Sequence, residues 1–283
     1  MTRHGIDGVE ELLWAGRGPV DLGAIDPAGT PGFDGNKKAG KKALAELEGE
    51  LRDAQTRLSA DGYTGGHRSV LLVIQGMDTS GKGGVLKHAV GLLDPGGVRI
   101  TSFKAPTKEE LKHDFLWRVE SQTPAAGQIG IFDRSHYEDV LIAKVHELAP
   151  PEEIERRYGA INDFERRLTE SGTTVIKCML HISKEEQRDR LLARLENPKK
   201  LWKFKPEDVD ERGRWDEYQA AYTTALERCS TEWAPWYVVP SDHKWYRTLA
   251  IASLLNNALD AMGLEWPDAD FDIEEQKQRL GAS

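Results

Sequence analysis

Residues 76–84 read Gly-Met-Asp-Thr-Ser-Gly-Lys-Gly-Gly. Two glycines enclose four residues and a lysine follows at once, a spacing suited to gripping phosphate oxygens. The glycines let the chain wrap closely with its N–H groups turned inward, and Lys82 adds a full positive charge where a helix begins. The backbone of Gly76, Met77, Thr79, Ser80, Gly81, Gly83 and Gly84 is therefore the expected phosphate cradle. Gly83 stands where the pattern usually carries a Ser or Thr that helps to hold Mg²⁺. Asp78, inside the loop, is the candidate to replace that hydroxyl as a metal ligand.

Further along, Ile129-Gly130-Ile131-Phe132-Asp133-Arg134 is an apolar run closed by an acid. Such a carboxylate, downstream of a phosphate loop, is placed to hold Mg²⁺. Arg134 follows directly and suits bidentate contact with a transferring phosphoryl group. Ser135, His136, Tyr137, Glu138 and Asp139 gather more polar groups at the same point, with His136 read as a positioning group before a catalytic one. Lys104 lies just after another apolar run and is expected to face the same cleft.

His113, Asp114, Trp117 and Arg118 fall at helical spacings. That face either binds a base and its phosphate or is an ordinary capped, salt-bridged helix; with Glu138 these four are the candidate nucleotide-binding residues. Arg188, Arg190 and Arg194 precede the basic stretch Pro198-Lys199-Lys200-Leu201-Trp202-Lys203. Arg190 and Arg194 are four apart and share a helical face. Residues 184–211 read as a lid that closes over phosphates and excludes water. The alternative is a solvated charged helix with Glu185, Glu186 and Asp189 as partners.

The elements that must position these groups alternate. Five apolar residues, Val70 to Ile74, predict a fully buried parallel strand ahead of the loop. Further strands are expected at Val98–Phe103, Gly127–Phe132, Thr174–Ile182 and Trp236–Pro240. Helices are expected from Lys37 to about Ala60, from Thr107 through Arg118, and at Pro151–Ser171, Lys184–Leu195, Arg212–Cys229 and Trp245–Met262. Leu44, Leu47, Leu51, Ala54 and Leu58 mark the buried face of the first of these. Strands alternating with helices imply a parallel sheet covered on both faces, with ligands at the carboxyl ends of the strands. Residues 1–36 read as an irregular arm, 37–262 as one domain that holds the phosphate loop, and 263–283 as a loose acidic tail.

The 283 residues carry a formal charge of −9, with 39% hydrophobic and 30% charged residues. That balance suits a soluble α/β protein and argues against general nucleic-acid binding. No apolar run approaches a membrane span, and the first residues lack a signal core. Cys178 and Cys229 form neither a disulfide framework nor a metal cluster, so a cytoplasmic setting is expected.

Taken together, Gly-Met-Asp-Thr-Ser-Gly-Lys-Gly-Gly, Phe-Lys-Ala-Pro-Thr, His-Asp-Phe-Leu-Trp-Arg, Phe-Asp-Arg-Ser-His-Tyr-Glu-Asp-Val-Leu, Leu-His-Ile-Ser-Lys-Glu-Glu-Gln and Ala-Pro-Trp-Tyr-Val-Val-Pro resemble the family-2 polyphosphate kinases. The likeness runs from about Asp26 to Met262. It implies a P-loop kinase fold like that of thymidylate kinase, with a helical lid. It implies metal-dependent phosphoryl transfer between inorganic polyphosphate and a nucleotide, with Mg²⁺ expected and Mn²⁺ as the alternative ion. On the family pattern Asp78 and Asp133 handle metal and acceptor phosphate. Lys82 is the P-loop lysine, Arg134 the arginine after the second aspartate, and Arg190 and Arg194 belong to the lid. The family tendency is toward homo-oligomers, dimers or tetramers. Gly83 and Asp133 look like members specific for nucleoside diphosphates, whereas most of the chain looks like members that also accept monophosphates, so both acceptors stay open. The rival readings are an ATP-dependent kinase on the same fold and a nucleotide-binding protein without turnover.

Overall fold

A computed structural model describes residues 4–282. Its centre is a five-stranded parallel sheet of order β2-β3-β1-β4-β5: β1 Ser69–Gln75, β2 Val98–Ser102, β3 Ile129–Asp133, β4 Thr173–His181 and β5 Trp236–Pro240. The helices are α1 Val9–Leu13, α2 Lys37–Tyr63, α3 Lys82–His88, α4 Trp117–Glu120, α5 Ile142–Val145, α6 Pro151–Glu170, α7 Lys184–Leu195, α8 Glu207–Gly213, α9 Trp215–Cys229, α10 Lys244–Ala261 and α11 Ile273–Gly281.

The continuous apolar run of β1 follows from burial on both faces. Val70, Leu72 and Ile74 join one core, under α2 and α10, while Leu71 and Val73 join the other, with residues of α6 and α9. A period-2 strand between two cores has no polar face to show. In α2, Asn36 caps the first turn and Leu47, Leu51, Ala54 and Leu58 are buried as their spacing predicts. All five strand ends carrying β–α loops point to one edge, which places the loops after β1 and β3 side by side.

Several elements differ from expectation. Residues before 36 are not irregular throughout: α1 buries Val9 and Leu13, and Trp14 bridges to Tyr237, covering part of the β5 edge. The helix expected through Arg118 is broken. Thr107 and Glu110 form the reciprocal cap, but it supports only a 3₁₀ turn at Glu110–Lys112. Asp114 then accepts from the Leu116 N–H, a local side-chain bond that competes with helix, and α4 starts afresh. The segment expected as one helix over 212–229 bends at Arg214, whose guanidinium donates to the Val145 carbonyl. The acidic tail contains α11, an exposed helix capped by Asp272. Among the described residues no helix is long and apolar enough to cross a membrane.

Candidate active site

The loop between β1 and α3 turns through Gly76 at φ +153° and Gly81 at φ +111°. At Gly76 a Cβ would meet Ser80 Oγ at 2.7 Å and Leu180 at 2.9 Å, so only glycine fits there. The N–H groups of Asp78, Thr79, Gly81, Lys82 and Gly83 donate to no protein acceptor among the described residues. They form a cluster of free donors of the kind that binds anions. Lys82 Nζ folds back onto Gly76 O at 2.6 Å and Met77 O at 3.4 Å. Burial lowers its pKa, and Asp78, Glu138 and Asp133 act against that shift.

Arg134 follows the end of β3 with a left-handed backbone, φ +64°, and its N–H still reaches Ile74 O. Thr79, in the loop itself, has φ +63°. A non-glycine residue held there costs about 1–3 kcal/mol, and such strain gathers at binding sites. The turn aims the Arg134 guanidinium at Asp78, with Nη2 to Oδ1 at 3.3 Å. Asp133 accepts weakly from Ser102 at 3.4 Å. Glu138 is half-buried beside Arg134 and Lys82; desolvation raises its pKa and the two cations pull it back. With its amide nitrogen turned to the carboxylate, Gln75 reaches Glu138 at 3.0 Å.

Lys82, Asp78, Arg134 and Glu138 form the floor of a cavity of about 340 Å³, with Gln187, Arg194, Lys203, Lys205 and Glu211 above; Asp133 is not among its lining residues. Helices α7 and α8 thus cover the phosphate loop. Gln187 donates to the Asp78 carbonyl, and Arg212 of α8 donates to Gln187 in turn.

The expected lid arginines separate by role. Arg194 lines the cavity, held by Asp208 and the Lys203 carbonyl. Arg190 is not a free cation of a lid: its five donors go to Glu186 and to the carbonyls of Thr79, Ser80, Ser241 and Asp242. Arg188 lies outside the cavity, exposed and beside Asp189. Lys104 is also exposed and does not line the cavity; its carbonyl accepts from Arg118.

The candidate nucleotide residues divide similarly. Glu138 belongs to the phosphate cavity. Arg118 is buried under the Phe103 ring and against Asp139, whose pKa burial raises to about 6. Asp114 pairs with Arg156. His113 stacks on the exposed Trp117 ring at 4.1 Å, and with Arg118 it borders a separate crevice of about 120 Å³.

The sequence model of polyphosphate kinase 2 matches residues 34–266. The chain belongs to the polyphosphate kinase 2 family. A crystal structure of polyphosphate kinase 2 from Arthrobacter aurescens superposes at a TM-score of 0.96 with 51% identity, over 99% of this chain and 98% of that one. The AMP/ADP-polyphosphate phosphotransferase of Meiothermus ruber is 44% identical over 89% of this chain and 93% of its own. The ADP-polyphosphate phosphotransferase of Rhodopseudomonas palustris is 37% identical over 88% and 89%. In this member of the polyphosphate kinase 2 family, Tyr218, Tyr222 and Arg247 border or brace the site without a motif to announce them, and Gln187, which closes the Leu-His-Ile-Ser-Lys-Glu-Glu-Gln run, joins the cavity wall. Lys203 had a signal in the basic stretch, and Lys205 follows two residues after it. Arg247 had only a faint one, a lone charge inside the apolar helix α10.

Behind Asp133 and Arg134, His136 is fully buried and so is placed to brace the turn. Its Nε2 lies 3.2 Å from Glu165, which also accepts from Tyr137 and Lys177. Burial lowers the His136 pKa below its ordinary 6.5, with Glu165 opposing. Burial pushes Glu165 up, but Lys177 and His136 outweigh it and its pKa falls. A histidine held neutral in the fold binds fewer protons than in the unfolded chain, so its stability is complete above pH 6.5 and drains as pH falls toward the folded value. The slope is at most about 1.4 kcal/mol per pH unit for one proton. Asp139 acts with the opposite sign between its ordinary 3.8 and about 6. The difference in melting temperature between wild type and His136→Gln, measured from pH 8 to 5, isolates the histidine. It is expected to change below pH 6.5, and a flat difference would remove this assignment.

Proposed function

We propose that the chain transfers a phosphoryl group between inorganic polyphosphate and the adenine nucleotides ADP and AMP, in line and without a covalent enzyme intermediate. One observation carries this reading: Lys82, Asp78 and Arg134 share a cavity covered by Arg194, Lys203 and Lys205, at the foot of a loop whose N–H groups are free. Such a concentration of donors suits a polyanion. The loop N–H groups and Lys82 hold the phosphates, Arg134 and Arg194 balance charge on the transferring group, and α7 and α8 exclude water that would hydrolyse it. Catalysis of this kind is mainly positioning and electrostatics. The exposed stack of Trp117 on His113 offers a platform for the acceptor base.

The donor set fits Mg²⁺, with Mn²⁺ as the alternative. Among the described residues no three acids, histidines or cysteines converge to cage an ion. Mg²⁺ commonly uses one or two carboxylates with substrate phosphates and water, and Asp78 and Asp133 both act on Lys82 beside the loop. The ion would neutralise charge on the phosphates when bound. The two free, buried cysteines suit a reducing cytoplasm.

The deciding assay supplies ADP and long-chain polyphosphate without ATP and measures ATP, then repeats with AMP and GDP. Phosphorylation that requires ATP and ignores polyphosphate would overturn the reading. Asp78→Asn and Asp133→Asn are each expected to lower turnover by about 10²-fold or more, taking loss of one transition-state contact as the scale, while melting stays near wild type. Near-normal turnover of either variant at saturating Mg²⁺ would remove that residue from the metal site.

A further inference from the structure

We propose that Arg247 is a positioning residue of the phosphate loop, an unpaired buried cation whose charge is balanced when a polyphosphate anion occupies the loop above it. The inference rests on the function proposed above. Helix α10 is apolar around Arg247, which is 2% exposed. Its Nη1 donates to Ser80 O at 2.8 Å. A Cβ on Gly81 would fall 1.9 Å from Nη1, and one on Gly84 2.7 Å from Nη2. These glycines therefore admit a guanidinium beneath the loop as well as a phosphate above it.

Ser80 O also accepts from Arg190 Nη1 at 3.0 Å, so two guanidinium groups converge on one carbonyl. The N–H of that same peptide belongs to Gly81 and donates to no protein acceptor among the described residues. Hydrogen bonds in series polarise one another by roughly 10–30% per bond. Two cations on the carbonyl thus make the Gly81 N–H a stronger donor to an anion.

The two arginines differ in their partners. Arg190 is paired with Glu186. Arg247 has no ion pair among the described residues, and its Nε has no partner. Burial, with the nearby Arg190 charge, pushes its pKa down to about 10, which leaves it charged at neutral pH. A buried charge without a counter-ion destabilises the free protein. A bound polyphosphate supplies the missing charge, so the destabilisation of the empty loop becomes affinity for the ligand. A plain fastening of α10 to the loop would instead need only the hydrogen bond.

The test separates charge from hydrogen bonding. Arg247→Gln keeps a donor without the charge, and Arg247→Lys keeps the charge without the fork. Tripolyphosphate binding with Mg²⁺ is measured by calorimetry beside the melting temperature of the free protein. Coulomb attraction across a few ångström of protein sets the expected scale. Arg247→Gln should bind at least about fivefold more weakly while the free protein melts at or above the wild-type temperature, and Arg247→Lys should stay within about fivefold of wild type. A smaller loss in Arg247→Gln, a lower melting temperature for it, or a larger loss in Arg247→Lys overturns the proposal. If the glutamine variant does not fold, the lysine variant decides by the same threshold. Wild type that binds tripolyphosphate but forms no ATP from polyphosphate would sink the proposed function and leave Arg247 to the binding data. Wild type that does not bind it at all would sink both.

Discussion

Replacing Lys82 with alanine is expected to reduce polyphosphate-driven ATP formation about 10²–10³-fold, the scale of losing one fixed donor at a site of developing charge. In the structure its ammonium is partly buried and held by the carbonyls of Gly76 and Met77. Those two neutral acceptors are exchangeable for phosphate oxygens, which carry full charge and bind the ammonium more strongly. The amine also offsets Asp78, Glu138 and Asp133, all of which act on it electrostatically. Without it, Asp78 and Glu138 face an incoming polyanion with Arg134 as the cation left at the floor of the cavity. Both KM for polyphosphate and kcat should therefore suffer, because the contact exists before transfer and strengthens as charge develops during it. Far-UV circular dichroism should be unchanged, since Lys82 is not part of either hydrophobic core. Turnover within a few-fold of wild type would take the loop out of the mechanism.

Much of this site is legible from spacing alone. The five-residue apolar run before Gly76 can hardly be anything but a strand between two cores, and the loop that follows is fixed by Gly76 and Gly81. Arg134 can be located because an apolar strand ends just before it, whereas Asp133, the last residue of that strand, lies outside the cavity lining. What spacing does not reveal is depth. Arg190 and Arg194 share a helical face, yet the carbonyls that bury Arg190 come from the β1 loop and from residues 241–242, far apart in sequence. Arg247 is hidden for the same reason. The break at Asp114 shows a second limit: a capping box announces where a helix begins, while a local aspartate bond decides where it stops. Lys104 follows a strand, but β2 is an edge strand, and its loop leads away from the cavity beside β1.

The separation of the two arginines yields the other large effect. Arg190→Met is expected to cost about 3–5 kcal/mol of stability, as when one partner of a buried charged network is removed. It leaves Glu186 and the carbonyls of Thr79, Ser241 and Asp242 without that donor, while Ser80 O keeps only Arg247. For a chain of this size 1 kcal/mol moves Tm by roughly 2–4 °C, so the drop should be about 6–20 °C. Arg194→Ala should behave in the opposite way. Its pair with Asp208 is long, at 3.4 Å, and partly exposed, so stability should change by no more than about 1 kcal/mol. Its position in the cavity predicts a kcat loss of about 10²-fold, with nucleotide binding to the free enzyme much less affected. Melting curves and kcat for both variants decide the matter together. An Arg190→Met protein with wild-type Tm and no turnover would mean that this side chain leaves its carbonyls to reach the phosphates. An Arg194→Ala protein with full kcat would mean that α7 covers the site without acting on the reaction.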